Sequence, residues 1–141
     1  PKSRLLAVDF GGARTGLAAT DWTGTIAVPL PRIDSRDPAE VVRQVLAVAA
    51  ERDTEGLVVG VPLALDGGVG ERAQRTLEFV AALRAATDLD VATIDESHTT
   101  DEAHERLKAF GMKAKRRKDF ADSVAALVIL ERYRQQLRPR A

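Results

Sequence analysis

Apolar residues recur along this chain with two different periods, and the change of period sets out its elements. Leu5 to Val8 is a short apolar run ending at Asp9, the pattern of a buried strand. Gly11, Gly12 and Gly16 follow, and glycines there allow a tight turn or a close backbone approach. Leu17–Thr20 and Thr25–Val28 flank Asp21-Trp22-Thr23-Gly24, which reads as a hairpin connection closed off by Pro29 and Pro31. Helical spacing then takes over. Asp37-Pro38 has the form of an N-cap with proline at the first helical position, and Val41, Val42, Val45, Leu46 and Ala49 form one apolar face up to about Arg52. Leu57–Gly60 is a fourth strand, and a Gly- and Pro-rich loop covers Val61–Gly70. Glu71–Ala86 is a second helix whose apolar side is expected from Ala73, Leu77, Val80, Ala81 and Leu83. Val91–Ile94 is a fifth strand ending at Asp95-Glu96. Thr99 or Thr100 is placed to cap a third helix running to about Phe110, where Gly111 stops it, and a last helix is expected from about Asp119 to Gln136.

Three consecutive strands without helices between them are expected to pair antiparallel, and strands that alternate with helices are expected to lie parallel. The predicted fold class is α/β: a mixed five-stranded sheet with an antiparallel hairpin edge, flanked by helices. This element order is that of the ribonuclease-H-like fold, although alternation alone equally allows other α/β sandwiches. A chain of 141 residues is most simply one domain, 1–141.

Composition narrows the chemistry. Cysteine is absent, which removes disulfides, thiolate nucleophiles and cysteine-ligated zinc. Lys plus Arg is 21 and Asp plus Glu is 21, so there is no global electrostatic drive toward nucleic acid or membrane. No apolar run approaches the ~20 residues that span a bilayer, and the start carries no long apolar signal region; the expectation is a soluble, cytoplasmic protein that does not bind membrane. A polyanion site must therefore come from local clustering. Lys113, Lys115, Arg116, Arg117 and Lys118 supply it, five cations within six residues directly before Asp119. Arg14, inside the glycine turn, is a further candidate for a phosphate.

Acids stand at the ends of core elements. Asp9 and Glu96 fall at the carboxyl ends of two predicted parallel strands, the edge where ligands collect in open α/β sheets. Asp119 and Asp122, three residues apart at the expected start of the last helix, share a face. Each acid alone has an ordinary explanation as a turn cap, a solvated residue or a helix-start charge. Together they would repel, by ~4 kcal/mol for a pair at ~4 Å and an effective dielectric of 20, unless a cation or protons intervene. An oxygen-only set favours Mg²⁺ or Mn²⁺, ions that hold substrate phosphates and activate water.

Leu6-Ala7-Val8-Asp9-Phe10-Gly11-Gly12-Ala13-Arg14-Thr15-Gly16 resembles the opening of the YqgF (RuvX) family. Val58-Val59-Gly60-Val61-Pro62-Leu63, with Asp66-Gly67 and Gly70, resembles its second motif, and Asp95-Glu96 with Thr99-Thr100 and Ala103 its third. Asp122-Ser123-Val124-Ala125-Ala126 with Ile129-Leu130 resembles its last. The motifs occur in the family's order over almost the whole chain. The resemblance implies a ribonuclease-H-like fold related to the RuvC Holliday-junction resolvases. It implies a metal-dependent nuclease that processes the 5′ end of precursor 16S rRNA or resolves branched DNA. The expected partner is structured nucleic acid, and the expected state is a homodimer if a junction is cut at two symmetric sites or a monomer if an RNA end is trimmed. The matching catalytic and metal-holding acids are Asp9, Glu96 and Asp122, with Asp119 auxiliary. The chain departs from the family at Ser97-His98, where an arginine commonly follows the Asp-Glu pair.

Other readings fall away or stay open. Gly11–Gly16 fits G-x-x-x-x-G, but Leu17-Ala18 follow where a P-loop needs Lys and Ser or Thr. His104-Glu105 lacks the second histidine of a zinc protease, since residue 108 is lysine. Asp9-Phe10-Gly11-Gly12 with Thr15-Gly16 also resembles the first phosphate loop of the actin/hexokinase superfamily, whose members need a second lobe that this length does not allow. A non-catalytic RNA- or ribosome-binding module stays open. Trp22 in the hairpin turn is expected to plug the sheet edge, the other possibility being a base-stacking surface.

Overall fold

The computed structural model describes residues 4–63, 68–96 and 114–137. Five strands form one sheet: β1 (Leu5–Asp9), β2 (Arg14–Thr20), β3 (Ala27–Asp34), β4 (Gly56–Val61) and β5 (Asp90–Asp95), in the order β3-β2-β1-β4-β5. β1, β2 and β3 pair antiparallel, while β4 lies parallel to β1 and β5 parallel to β4. The helices among the described residues are α1 (Pro38–Glu51), α2 (Glu71–Ala86) and α3 (Ala114–Leu137). The mixed α/β sheet expected from the sequence is thus the sheet observed. The helix expected between Thr99 and Phe110 lies outside the described residues.

Strand alternation sends successive side chains to opposite faces. Leu6 and Val8 of β1, Leu17 and Ala19 of β2, and Leu57 and Val59 of β4 pack with Val41, Val45, Phe79, Val80 and Leu83 of α1 and α2. Leu5 and Ala7, Ala18, Val58 and Ile94 face the other way, onto Ala126, Leu127, Ile129 and Leu130 of α3. Val124 to Leu130 are all buried, so α3 is enclosed on every side over two turns. Asp37 caps α1 by accepting from the Ala39 amide at 3.1 Å, with Pro38 in the first turn.

Four local expectations change. β3 continues through Pro29 and Pro31 instead of ending there, because it has a neighbour on one side only, and an edge strand tolerates proline where no ladder donor is needed. Leu77 and Ala81 are exposed on α2; its buried face is Ala73, Thr76, Phe79, Val80 and Leu83. Trp22 does not plug the edge: it is 83% exposed at the hairpin tip. α3 begins at Ala114, so the run 115–118 is helical and Asp119 and Asp122 stand beyond the first turn. Lysine and arginine are good helix formers, and nothing in that run breaks a helix.

Candidate active site

β1 and β5 are separated by β4, so their backbones lie about 9–10 Å apart. Side chains at their ends meet only if the strand between them leaves room. Ala7 is opposite Val58, which is opposite Ala92, and Gly60 is opposite Ile94. Asp9 therefore comes one step beyond the Val8–Val59 pair, level with Gly60, and Glu96 follows just after. By parity Asp9, Gly60 and Glu96 all belong to the face that α3 covers. Glycine at position 60 supplies the gap. A Cβ there would stand 2.5 Å from Ile129 Cδ1, 2.9 Å from Glu96 Cβ and 3.0 Å from Glu96 Oε2. Glu96 thus leans across the bare backbone of β4 toward Asp9, and its own backbone is fixed by its amide donating to the Val61 carbonyl at 3.1 Å.

The electrostatics of the pair follow from that enclosure. Glu96 is only 5% exposed. Burial pushes its carboxyl up to about 10, helped by the Asp9 charge and by a hydrogen bond with Asp9; Arg72, at the start of α2, pulls the other way, and Asp95 adds repulsion. In the metal-free chain Glu96 is therefore protonated near neutrality and donates to the Asp9 carboxylate. Its Oε1 is buried without a hydrogen-bond partner. A buried carboxyl beside a half-buried one, with one oxygen lacking a donor, fits a hard divalent cation better than any group present among the described residues.

The turn joining β1 to β2 holds Asp9 in place. At Gly11 a Cβ would collide with the Arg14 carbonyl, so the turn closes only with glycine there. The Gly11 amide donates to Thr15 Oγ1 at 3.4 Å. Arg14 is the exposed first residue of β2, opposite Asp34.

α3 approaches from above. Ile129 touches the Gly60 position, and near the other end Arg134 donates to the Gly24 and Thr25 carbonyls of the hairpin, both at 3.1 Å. Position 122 is two turns before Ile129 on the same helix stripe. The side chains of Asp122, Asp119, Lys115, Arg116, Arg117 and Lys118 lie outside the described residues, as does Lys113 altogether. Among the described residues no third His, Cys, Asp or Glu completes a cluster with the pair. The acids brought together here are thus Asp9 and Glu96. Gly60 and Arg72 border the pair, and the sequence reading did not single them out as site residues. The signal for Gly60 was available, a glycine interrupting an apolar buried strand, which marks close approach by something else.

Comparison with known proteins decides the lineage. A family model described as "RuvX: Holliday junction resolvase" matches residues 3–136. This chain belongs to the RuvX family. Relatives named "Putative pre-16S rRNA nuclease" include one from Clavibacter michiganensis subsp. michiganensis, 43% identical over 128 residues, covering 89% of this chain and 79% of that one. Another, from Synechococcus sp. (strain JA-3-3Ab), is 38% identical over 133 residues, covering 94% and 84%. Among solved structures, T. thermophilus RuvC in complex with Holliday junction substrate superposes with a TM-score of 0.61 over 95% of this chain and 96% of that one, at 16% identity. The fowlpox virus Holliday junction resolvase superposes with a TM-score of 0.60, 96% and 99% coverage and 9% identity. At such identities the likeness is one of fold, and it matches the ribonuclease-H-like fold expected for the RuvX family. No helix among the described residues is long and apolar enough to cross a membrane.

Proposed function

We propose that residues 1–141 act as one divalent-cation-dependent endonuclease of the cytoplasm that hydrolyses phosphodiester bonds in structured nucleic acid, its substrate being the 5′ end of precursor 16S rRNA. The single observation that carries this reading is the buried Glu96 carboxyl leaning over Gly60 toward the half-buried Asp9, with an oxygen that no protein donor satisfies, in a member of a nuclease family. Asp9 and Glu96 would hold Mg²⁺ or Mn²⁺, with Asp122 as third ligand and Asp119 auxiliary. Bound there, the ion supplies Lewis acidity toward a phosphodiester and its attacking water.

The chain's own residues do the rest. Asp9 is positioned by the glycine turn. Glu96 keeps a proton toward Asp9 until the site is loaded, so the two carboxyls coexist without full repulsion. Ile129 and the apolar side of α3 exclude bulk water from the pair. Lys113, Lys115, Arg116, Arg117, Lys118 and Arg14 would grip the phosphate backbone, which makes binding steeply salt-dependent.

A second reading, resolution of branched DNA, is favoured by the RuvC-like fold. Cutting a four-way junction symmetrically needs two sites and so a homodimer, whereas trimming an RNA end is within reach of a monomer. A cleavage panel separates them: a precursor 16S rRNA 5′ fragment, a single strand and a four-way junction, each with Mg²⁺, Mn²⁺ or chelator. Metal-dependent cutting of the precursor RNA alone is the expected result. Junction cutting alone would reassign the substrate, and binding without cutting in any metal would leave a non-catalytic module.

A further inference from the structure

Beside the acid pair, on the opposite face of the sheet, lies a cavity of about 330 Å³ between the β1–β2 turn, the β3–α1 loop and α2. Phe10 follows Asp9 directly, and alternation turns it away from α3, onto α2. There it stacks on Phe79 with ring centroids 4.3 Å apart and planes 9° from parallel, and the two rings line the cavity. Its polar lining is Ser35, Arg36, Arg75 and Glu78; Arg75 donates to Glu71 at 2.8 Å on its own helix, which leaves Arg36, on the β3–α1 loop, as the other cation of the wall. The volume is at the lower end of the ~300–1,000 Å³ range of small-ligand sites.

Gly12 forms part of the same wall, and it differs from its neighbour. At Gly11 a side chain is forbidden by the chain itself. At Gly12 an added Cβ meets nothing within 4 Å, and the backbone there does not adopt the left-handed conformation that favours glycine. Among the described residues nothing calls for glycine at position 12. The wall there is open, three residues after Asp9.

We propose that this cavity is a nucleotide subsite: it receives the nucleotide flanking the scissile phosphate, its base against the half-buried Phe10 ring, which the core residue Phe79 backs, and its phosphate toward Arg36. A guanidinium suits a phosphate and an aromatic ring suits any base, so the subsite fixes where the strand lies and not which sequence it has. This rests on the nuclease reading for its substrate, but its test is binding, which stands apart from cleavage.

The experiment measures fluorescence-anisotropy binding of a labelled precursor 16S rRNA 5′ fragment, in chelator, to the wild-type chain, Gly12→Leu, Arg36→Glu and Arg43→Glu. Arg43 lies on the exposed side of α1, outside the cavity. Gly12→Leu and Arg36→Glu are expected to raise Kd about tenfold or more, with unchanged melting temperature, and Arg43→Glu to leave it unaltered. Arg36→Glu keeps the test valid should Gly12→Leu fold poorly. Wild-type affinity in both cavity variants would overturn the subsite, as would equal weakening by Arg43→Glu or no RNA binding by the wild type. Wild-type chain that binds through this cavity yet never cleaves would overturn the nuclease reading and leave the subsite in place.

Discussion

The two ends of the sheet treat a carboxylate in opposite ways. At the hairpin end, Asp21 accepts from Thr23 Oγ1 at 2.7 Å, the Thr25 amide at 3.0 Å and the Ile26 amide at 3.2 Å. The Thr23 hydrogen bond, with the turn amides, holds its carboxyl below the ordinary value against the opposing effect of desolvation. At the carboxyl end of the parallel strands, Glu96 is buried, faces Asp9 and keeps one oxygen without a donor, and its carboxyl rises. The first acid is satisfied by its own turn and stabilises it. The second is left unsatisfied by the fold, and the apolar packing of α3 holds it there. An acid whose donors come from its own loop needs no ligand; an acid enclosed without donors is a place for one.

The largest break in this contrast comes from Asp9→Asn. Cleavage of the precursor fragment should fall at least about a hundredfold, on the scale of losing one electrostatic stabiliser. Thermal stability in chelator should change only slightly, since the asparagine Oδ1 still accepts from the protonated Glu96 carboxyl; full activity in this variant would remove the acid pair from the mechanism.

Gly60→Ala comes next. Its Cβ would intrude on both Ile129 and Glu96, so a loss of about 1–3 kcal/mol of stability is expected from overpacking, together with a fall in cleavage. Adding Ile129→Val relieves the contact with Ile129 and leaves that with Glu96. Denaturation should then recover part of the stability while cleavage stays low. Recovery of both would reduce Gly60 to a packing residue.

How much of this was legible beforehand follows from how local each feature is. The Asp37-Pro38 cap and the apolar runs of β1 and β4 depend on neighbours in sequence, and they were read correctly. Pro29 and Pro31 misled because their cost depends on whether β3 has one neighbour or two, which is a property of the sheet. The exposure of Leu77 and the burial of Thr76 depend on which face α2 turns toward α1, β4 and β5, a property of the packing and not of the helix alone. Asp9 and Glu96 could be named as acids at strand ends. That they meet requires knowing that β4 runs between them and that its residue 60 has no side chain, and this is tertiary information. The start of α3 was missed because its basic first turn carries no capping signal to announce it.

A smaller effect is read in pH. The folded-state value of Glu96 lies above the ordinary 4.5, so its contribution to stability is complete below that value and is lost as pH climbs toward about 10. In chelator, the melting temperature of the wild type should decline across that window more than that of Glu96→Gln; parallel curves would mean that Glu96 is not held protonated. Asp21 carries the opposite sign, its contribution being present above the ordinary carboxylate range and lost as pH falls through its lowered value. Asp21→Ala should lower the melting temperature only slightly and leave cleavage intact. A loss of cleavage there would dissolve the distinction between the two ends.

The most direct test is Mn²⁺ binding, followed by electron paramagnetic resonance on the full chain. The wild type should take up Mn²⁺, with the signal of the free ion lost on titration, and Asp9→Asn and Glu96→Gln, both folded by circular dichroism, should bind it at least about tenfold more weakly. Equal uptake by all three chains would contradict a shared cation between Asp9 and Glu96, and with it the reading of this end of the sheet as a nuclease centre.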